Sequence, residues 1–555
     1  MKKIVLFTLI ASIALVSGVY PQERADTVES ITPRNVMLFL KTSRIRNFLV
    51  SLKFVSDNLL SDETAGAMKK KTDAMKNRTG FDILDVASLE KAGIDVSRSV
   101  SFAMYQSGSR GEDRMLFFLP VMDEKTFPLK FVELLKKTAG SETADVYPVI
   151  TQYGDYTMYQ IRRDVFTTAL DGVFVIGSTG EIVRSVIDAK MKNEGYLALD
   201  PGYIDSLDKN RKNYDLRAFA SRDFLKEIMK ERAKPADDRK EPKSDKPVSR
   251  YNAPAEGLRY AAADSERDRL SSGPSLFNAM DYAFLGASVK PTAIDVDLAV
   301  KFNRTSGTVN TYLDVIKTGL NGRALSVKNA TALIFASLDF ARIEELCGSN
   351  APGCSQYAAF KERVKSDLGL DFQADIVPSF SGVVNLVTGE PKGAGSGYAL
   401  YLPMNDAGRS EKILEKAAAY LKEQYKGTER FGTATIGGSK AYWYYGAKSG
   451  KTYISRDKRG LYMANDAELL AAAMAGKETS QIQLSGGAPR TIGENVFFLT
   501  ALKKESFFGA ILLLYGNRSR EIGGFVDKIQ ELSAVSRKID DYITLDIVIN
   551  LMKRK

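Results

Sequence analysis

The sequence predicts an α+β protein built as two pseudo-symmetric lobes, each a mainly antiparallel sheet with packed helices. Three observations lead there. Short apolar strands are joined by Gly-rich turns, without the regular βαβ alternation of a parallel sheet. Helical stretches carry a single apolar stripe suited to docking on a sheet. And seven segments recur in the same order in two stretches of the 555 residues, about Val36 to Phe302 and about Ala330 to Leu551.

The elements follow in order. Each copy opens with an apolar strand running into a helix, VMLFLKTSRIRNFL from Val36 and TALIFASLDFARIEEL from Thr331. A Gly-Φ-Asp-Φ step comes next (Φ apolar), GFDI at Gly80 and GLDF at Gly369. Two strands joined by a Gly-rich turn then span Ser99 to Asp123 and Gly382 to Asp406, ending in FLPVMD and YLPMND before an amphipathic helix. VFVIGSTGEIVRSVIDAK matches GLYMANDAELLAAAMAGK, each an apolar strand, a turn and a helix with Glu181 or Glu468 in its first turn, where the helix dipole favours an acid. DLRAFASRDFLKEIM from Asp215 answers FFLTALKKESFFGAI from Phe497, and AIDVDLAVKF answers YITLDIVINL as the closing strand.

Through the first six segments the copies lie roughly 280 to 300 residues apart, and the separation then falls by several tens. The extra piece in the first copy is residues 230–274, rich in Lys, Asp, Glu, Pro and Ala, with almost nothing large and aliphatic to bury. Such a segment does not offset its own ordering entropy and is expected to be a disordered charged insertion. The lobes are therefore expected over residues 33–305 and 328–555.

Residues 1–18 read as a secretory signal peptide. Lys2 and Lys3 precede the apolar run Ile4 to Val16, too short to span a bilayer comfortably, and the small residues Ser17 and Gly18 follow. No cysteine follows that run to take a lipid, and no later stretch reaches transmembrane length without charges. The expected location is periplasmic or extracellular. The two cysteines, Cys347 and Cys354 in CGSNAPGC, flank a turn and are expected to join as a disulfide, worth on the order of 2 kcal/mol in the chain-entropy model.

Composition excludes chemistry more readily than it suggests any. The chain contains no histidine, which removes the usual general base for Ser or Cys nucleophiles and, with only two cysteines, the usual zinc ligands. No cofactor is expected. The formal charge of +10 is spread among interleaved acids and bases, which speaks against nucleic acid and allows a weak contact with anionic surfaces.

Several motifs invite a functional reading. Asp123 and Asp406 occupy matching places before a helix and could form a two-carboxylate hydrolase pair, although the ordinary role there is an N-cap. Asp295 and Asp297 share one face of a closing strand, and only Asp297 has a counterpart, Asp546; the wet face of a one-sided sheet accounts for them. GAGSG at Gly393 precedes a strand rather than a helix and reads as a hairpin turn. GAKSGKT at Gly446 is one residue short of a phosphate loop and lacks the following helix, so it too reads as a turn. Trp443, Tyr445 and Tyr156 lie on aromatic-rich strands and are candidate ligand contacts, against a plainer role in sheet packing.

The basic-apolar head, the paired lobes, GFDI followed by SLEKAGID (Ser88 to Asp95) and the FLP-then-helix junction resemble those of uncharacterised exported bacterial proteins that carry a duplicated domain of unknown function. The SLEKAGID-like piece is missing from the second copy. The resemblance implies an envelope location and brings no catalytic residues. The expected function is non-catalytic binding of a hydrophobic or glycan ligand or of an envelope partner; the alternative is a carboxylate-dependent hydrolase of envelope polysaccharide.

Overall fold

The computed structural model describes residues 28–60, 62–107, 114–139, 148–209, 212–233, 279–305, 310, 313–319, 323–348, 354–392, 395–446, 450–482, 484, 490–504, 506 and 527–552. The expected signal peptide lies outside the described residues. So does the expected insertion from residue 234 onward; its first four residues instead complete a helix.

Twenty strands form one antiparallel sheet. The first ten are β1 (Leu38–Arg44), β2 (Ser99–Tyr105), β3 (Arg114–Pro120), β4 (Val149–Tyr153), β5 (Tyr156–Arg162), β6 (Val165–Leu170), β7 (Val173–Gly177), β8 (Leu216–Ser221), β9 (Met280–Lys290) and β10 (Ala293–Phe302). The second ten are β11 (Ala332–Ser337), β12 (Val383–Lys392), β13 (Gly395–Pro403), β14 (Phe431–Ile436), β15 (Ser439–Gly446), β16 (Gly450–Arg456), β17 (Gly460–Ala464), β18 (Val496–Lys503), β19 (Ile529–Ile539) and β20 (Tyr542–Leu551). The spatial order is β4-β5-β6-β7-β3-β2-β1-β8-β9-β10, then β20-β19-β18-β11-β12-β13-β17-β16-β15-β14. Read outward from β10 and β20, the two sides run through the same order of connections.

The helices are α1 (Ile45–Asn58), α2 (Asp62–Thr79), α3 (Val86–Lys91), α4 (Phe127–Ala139), α5 (Gly180–Lys192), α6 (Pro201–Lys209), α7 (Arg222–Ala233), α8 (Phe340–Gly348), α9 (Cys354–Leu368), α10 (Ala407–Gln424) and α11 (Ala467–Ala475). Several of their starts are set by short polar side chains. Thr179 caps α5 through the Ile182 amide, and Asp466 caps α11 through the Leu469 amide. The helices divide between the two faces of the sheet. On one face α5 and α6 close a core around Phe118, Val175, Val183 and Phe219, and α11 closes another around Phe335, Tyr401, Tyr462 and Leu470. On the opposite face α1 to α4 cover the first half over Leu49, Val121 and Phe174, and α9 and α10 cover the second over Phe372, Leu414 and Leu461. Cys347 and Cys354 are joined as a disulfide between α8 and α9, with Cα atoms 5.0 Å apart. Among the described residues, no helix is long and apolar enough to cross a membrane.

The two glycine-rich motifs both fall in hairpins. Pro391 pairs with Ser396 and Lys392 with Gly395 around one, and Gly446 pairs with Gly450 around the other. Gly450 has φ +67°, a left-handed conformation that glycine adopts without strain.

Candidate functional site

The place where the two halves of the chain meet has the most unusual chemistry. β10 pairs with β20 so that Asp297 stands directly opposite Asp546, with Val296 opposite Ile547 and Leu298 opposite Leu545. Period two therefore divides the seam into a face of carboxylates and tyrosines and a face of aliphatic side chains.

On the first face Asp297 is only 4% exposed. The wet-face expectation for Asp297 is corrected, because its strand lies mid-sheet with α6 and the chain leading into β8 above it. Lys212 donates to both of its oxygens at 2.9 Å. Burial raises the Asp297 carboxyl above the usual range, helped by its hydrogen bond to Asp546 and opposed by Lys212 and Tyr214. Burial would raise Asp546 too, but the hydrogen bond from Asp297 and the charge of Arg537 hold it low. The contact between the two carboxyls thus raises Asp297 and lowers Asp546. Tyr214 lies over the strand next door, where a Cβ on Gly286 would sit 2.4 Å from its ring, so Gly286 makes the room. Asp295 pairs with Lys290 at 2.7 Å.

A second cluster lies along the same seam. The Asp205 carboxylate of α6 accepts from Tyr282 of β9 at 2.7 Å, from Lys301 of β10 at 2.8 Å and from Tyr542 of β20. Tyr282 and Tyr542 hydroxyls are 2.5 Å apart, and the Lys301 ammonium lies 5.4 Å from the Tyr542 ring centre. Burial alone would raise Asp205; the donors from Lys301, Tyr542 and Tyr282 outweigh it and bring the carboxyl down to about 2. Asp205 raises Lys301 in return, and burial raises both tyrosines. Every member is engaged with another, so the clusters act as a lock between the two halves.

The opposite face of the same strands is aliphatic. Leu285, Leu298, Leu545 and Ile547 form its centre and are only half-buried. At one end Phe54 and Val55 of α1 and Leu59 just after it pack with Val289, Ile294 and Leu551; at the other, Leu313 packs with Phe302, Val300 and Ile543. These groups are the walls of an apolar floor. It continues into the second half through Phe498, opposite Ser536, and through Ile334 and Leu386, which pair with each other.

The candidates from the sequence fall elsewhere. Asp123 accepts from the Lys125 amide at 2.9 Å and the Thr126 hydroxyl at 2.7 Å, and Asp406 accepts from the Gly408 and Arg409 amides at 2.8 and 3.2 Å. Both are turned to their own helix starts, which removes this pair from the hydrolase alternative. Trp443 and Tyr445 meet edge to face at 5.9 Å on β15, and Lys451 sits 4.3 Å from the Trp443 ring centre and 5.2 Å from that of Tyr453. A Cβ on Gly432 would lie 2.5 Å from the Trp443 ring, so the indole lies across that glycine. Tyr156 is on β5, the second strand from the other edge of the sheet, opposite Tyr153. The structure brings Trp443 and Tyr445 together and leaves Tyr156 apart from them. Sequence reasoning named none of Leu285, Leu298, Leu545 and Ile547; the alternation of the last three in DLAV and ITLDIVI was visible, but only the acids were weighed there.

No family model matches this chain, and no curated protein matches it. Solved structures of TP0453 are similar to it in part. Crystal form IV is 10% identical, covers 49% of this chain and 79% of that one, and gives a TM-score of 0.24. Crystal form III is 9% identical, covers 53% and 85%, and gives 0.23. Likeness at that level carries no argument about fold or function.

Proposed function

We propose that this is an exported, non-catalytic binding protein of the periplasm or cell surface that holds an apolar ligand against the floor of its central strands. The observation that carries the reading is the half-buried aliphatic surface of Leu285, Leu298, Leu545 and Ile547 in the middle of a twenty-stranded sheet, where a soluble domain would ordinarily bury its leucines. One further observation supports binding over catalysis: the acids of the seam are engaged with Lys212, Arg537, Lys301 and tyrosines. A glycan platform at Trp443 is less favoured, since Lys451 already occupies a face of that ring.

Native mass spectrometry of protein purified without detergent tests this directly. The expected spectrum contains the protein plus a bound apolar molecule, and Leu298→Asp with Ile547→Asp abolishes the adduct while the fold persists by circular dichroism. A bare protein mass, with no uptake of an added fluorescent acyl probe, sinks the proposal.

The two-lobed internal duplication belongs to the same reading. Its support is the shared order of strands on both sides of the seam and the pairing of Asp297 with its own counterpart, Asp546, across it. A fragment of residues 19–305 should then expose β10 and pair with itself through Asp297. A monomeric fragment by light scattering would count against the duplication.

A further inference from the structure

The two edges of the sheet are built differently. β14 is packed on one side by α10 and on the other by α11, its Ile436 is buried, and the residues it shows to solvent are Thr433 and Thr435. Among the described residues β4 pairs with β5 alone, and Val149 through Gln152 are all exposed. Val149 and Ile150, on opposite faces, are each 59% exposed. Within β4 there is neither a proline, a lysine nor a bulge, only Pro148 immediately ahead of it, and two bare aliphatics stand on the strand, so the strand itself lacks the devices by which sheets prevent strand addition.

The register of the β4–β5 hairpin shows which backbone groups are free. Tyr153 pairs with Tyr156 around the two-residue turn Gly154–Asp155, and Gly154 has φ +58°. Such a turn is closed by a hydrogen-bonded pair, and the bonded positions alternate from there. Thr151 and Val149 are therefore bonded to β5, while Ile150 and Gln152 direct their N–H and C=O away from the sheet. The free groups lie symmetrically about Thr151.

We propose that β4 is the docking edge for a second copy of this chain, joined antiparallel about a two-fold axis at Thr151. In that register Ile150 and the partner's Gln152 exchange both backbone hydrogen bonds, as do Gln152 and the partner's Ile150. Val149 of each copy lies against Tyr153 of the other, which covers the exposed aliphatic with a ring. Every pairing within the main sheet is antiparallel, and an isologous antiparallel joint is the arrangement that continues the pattern while using up the edge. Joining β4 to β14 would leave a free edge at each end. Five residues a side bury less than the roughly 1,200 Å² of a stable interface, so the dimer is weak and depends on concentration.

A cysteine on the axis tests this in the full-length protein. Thr151 faces its own copy at a non-hydrogen-bonded position, where Cα atoms come within about 4.5 Å and a disulfide can form. Thr151→Cys should cross-link into a dimer under mild oxidation several-fold faster than Val50→Cys, a cysteine placed at a site 65% exposed on α1. Adding Ile150→Pro, which removes an outward N–H, or Ile150→Lys, should return the rate to that of the control, with the fold checked by circular dichroism. The unmodified protein should gain mass with concentration by light scattering. Cross-linking no faster than Val50→Cys, or unaffected by both Ile150 changes, overturns the proposal.

Discussion

The two faces of the β10–β20 seam contrast more sharply than any other two regions of the molecule. One face buries Asp297, Tyr282 and Tyr542 and half-buries Asp205 in two clusters that span both halves of the chain; the other leaves Leu298, Leu545 and Ile547 partly in solvent. This inverts the usual one-sided sheet, in which the apolar face is covered and the polar face is wet. The difference teaches that charge at the seam is held by reciprocal bonds, with little left over for chemistry, while the aliphatic side is where surface remains to be covered.

The largest expected effect comes from breaking the network. Asp205→Ala strands the two tyrosines and Lys301 without their common acceptor and should cost about 2–4 kcal/mol, read as a lower urea midpoint with an unchanged slope. Wild type should echo this with pH. The Asp205 carboxyl is held down to about 2, against about 3.9 unfolded, so its contribution is present above the unfolded value and is lost as pH falls toward 2. Asp205→Asn should flatten that acid limb.

A nearby buried acid should respond in the opposite sense. Asp215 is 2% exposed with one oxygen unpartnered, and burial pushes its carboxyl up to about 8 despite the Val289 amide and the charge of Lys290. The folded protein holds a proton there that the unfolded chain has released, so stability falls as pH rises from about 4 through 8. Asp215→Asn should remove that slope and leave the variant the more stable of the two at pH 9; equal slopes by chemical denaturation would refute it.

Smaller effects separate caps from site. Asp406→Ala should lose about 1 kcal/mol for its N-cap without altering binding of an acyl probe. Leu298→Asp should do the reverse. At a half-buried position it should change stability by less than about 1 kcal/mol, yet abolish probe binding. A large stability loss with unchanged binding would make the floor an ordinary core and erase the contrast between the faces.

Much of the architecture was legible. GFDI and GLDF, FLPVMD and YLPMND, and the acids at Glu181 and Glu468 marked strand ends and helix starts because capping and turn chemistry are local. The cap at Asp406 was legible for the same reason, Asp123 closes the turn ahead of α4 rather than capping it, and the closure of Cys347 with Cys354 was legible too. The site was not. Trp443, Tyr445 and Tyr156 were grouped by residue type, and the sheet order places them near opposite edges.

The sequence by itself determined the elements, their order and the two faces of each closing strand, since a period of two separates Asp297 and Asp546 from Leu298 and Leu545. Only the tertiary structure decided what lies against those faces. β10 and β20 pair with each other in the middle of the sheet, so the carboxylates meet under α6 and the leucines lie between α1 at one end and Leu313 at the other. Alternation along a strand is local physics; which neighbour covers each face is a long-range contact that no stretch of a strand encodes.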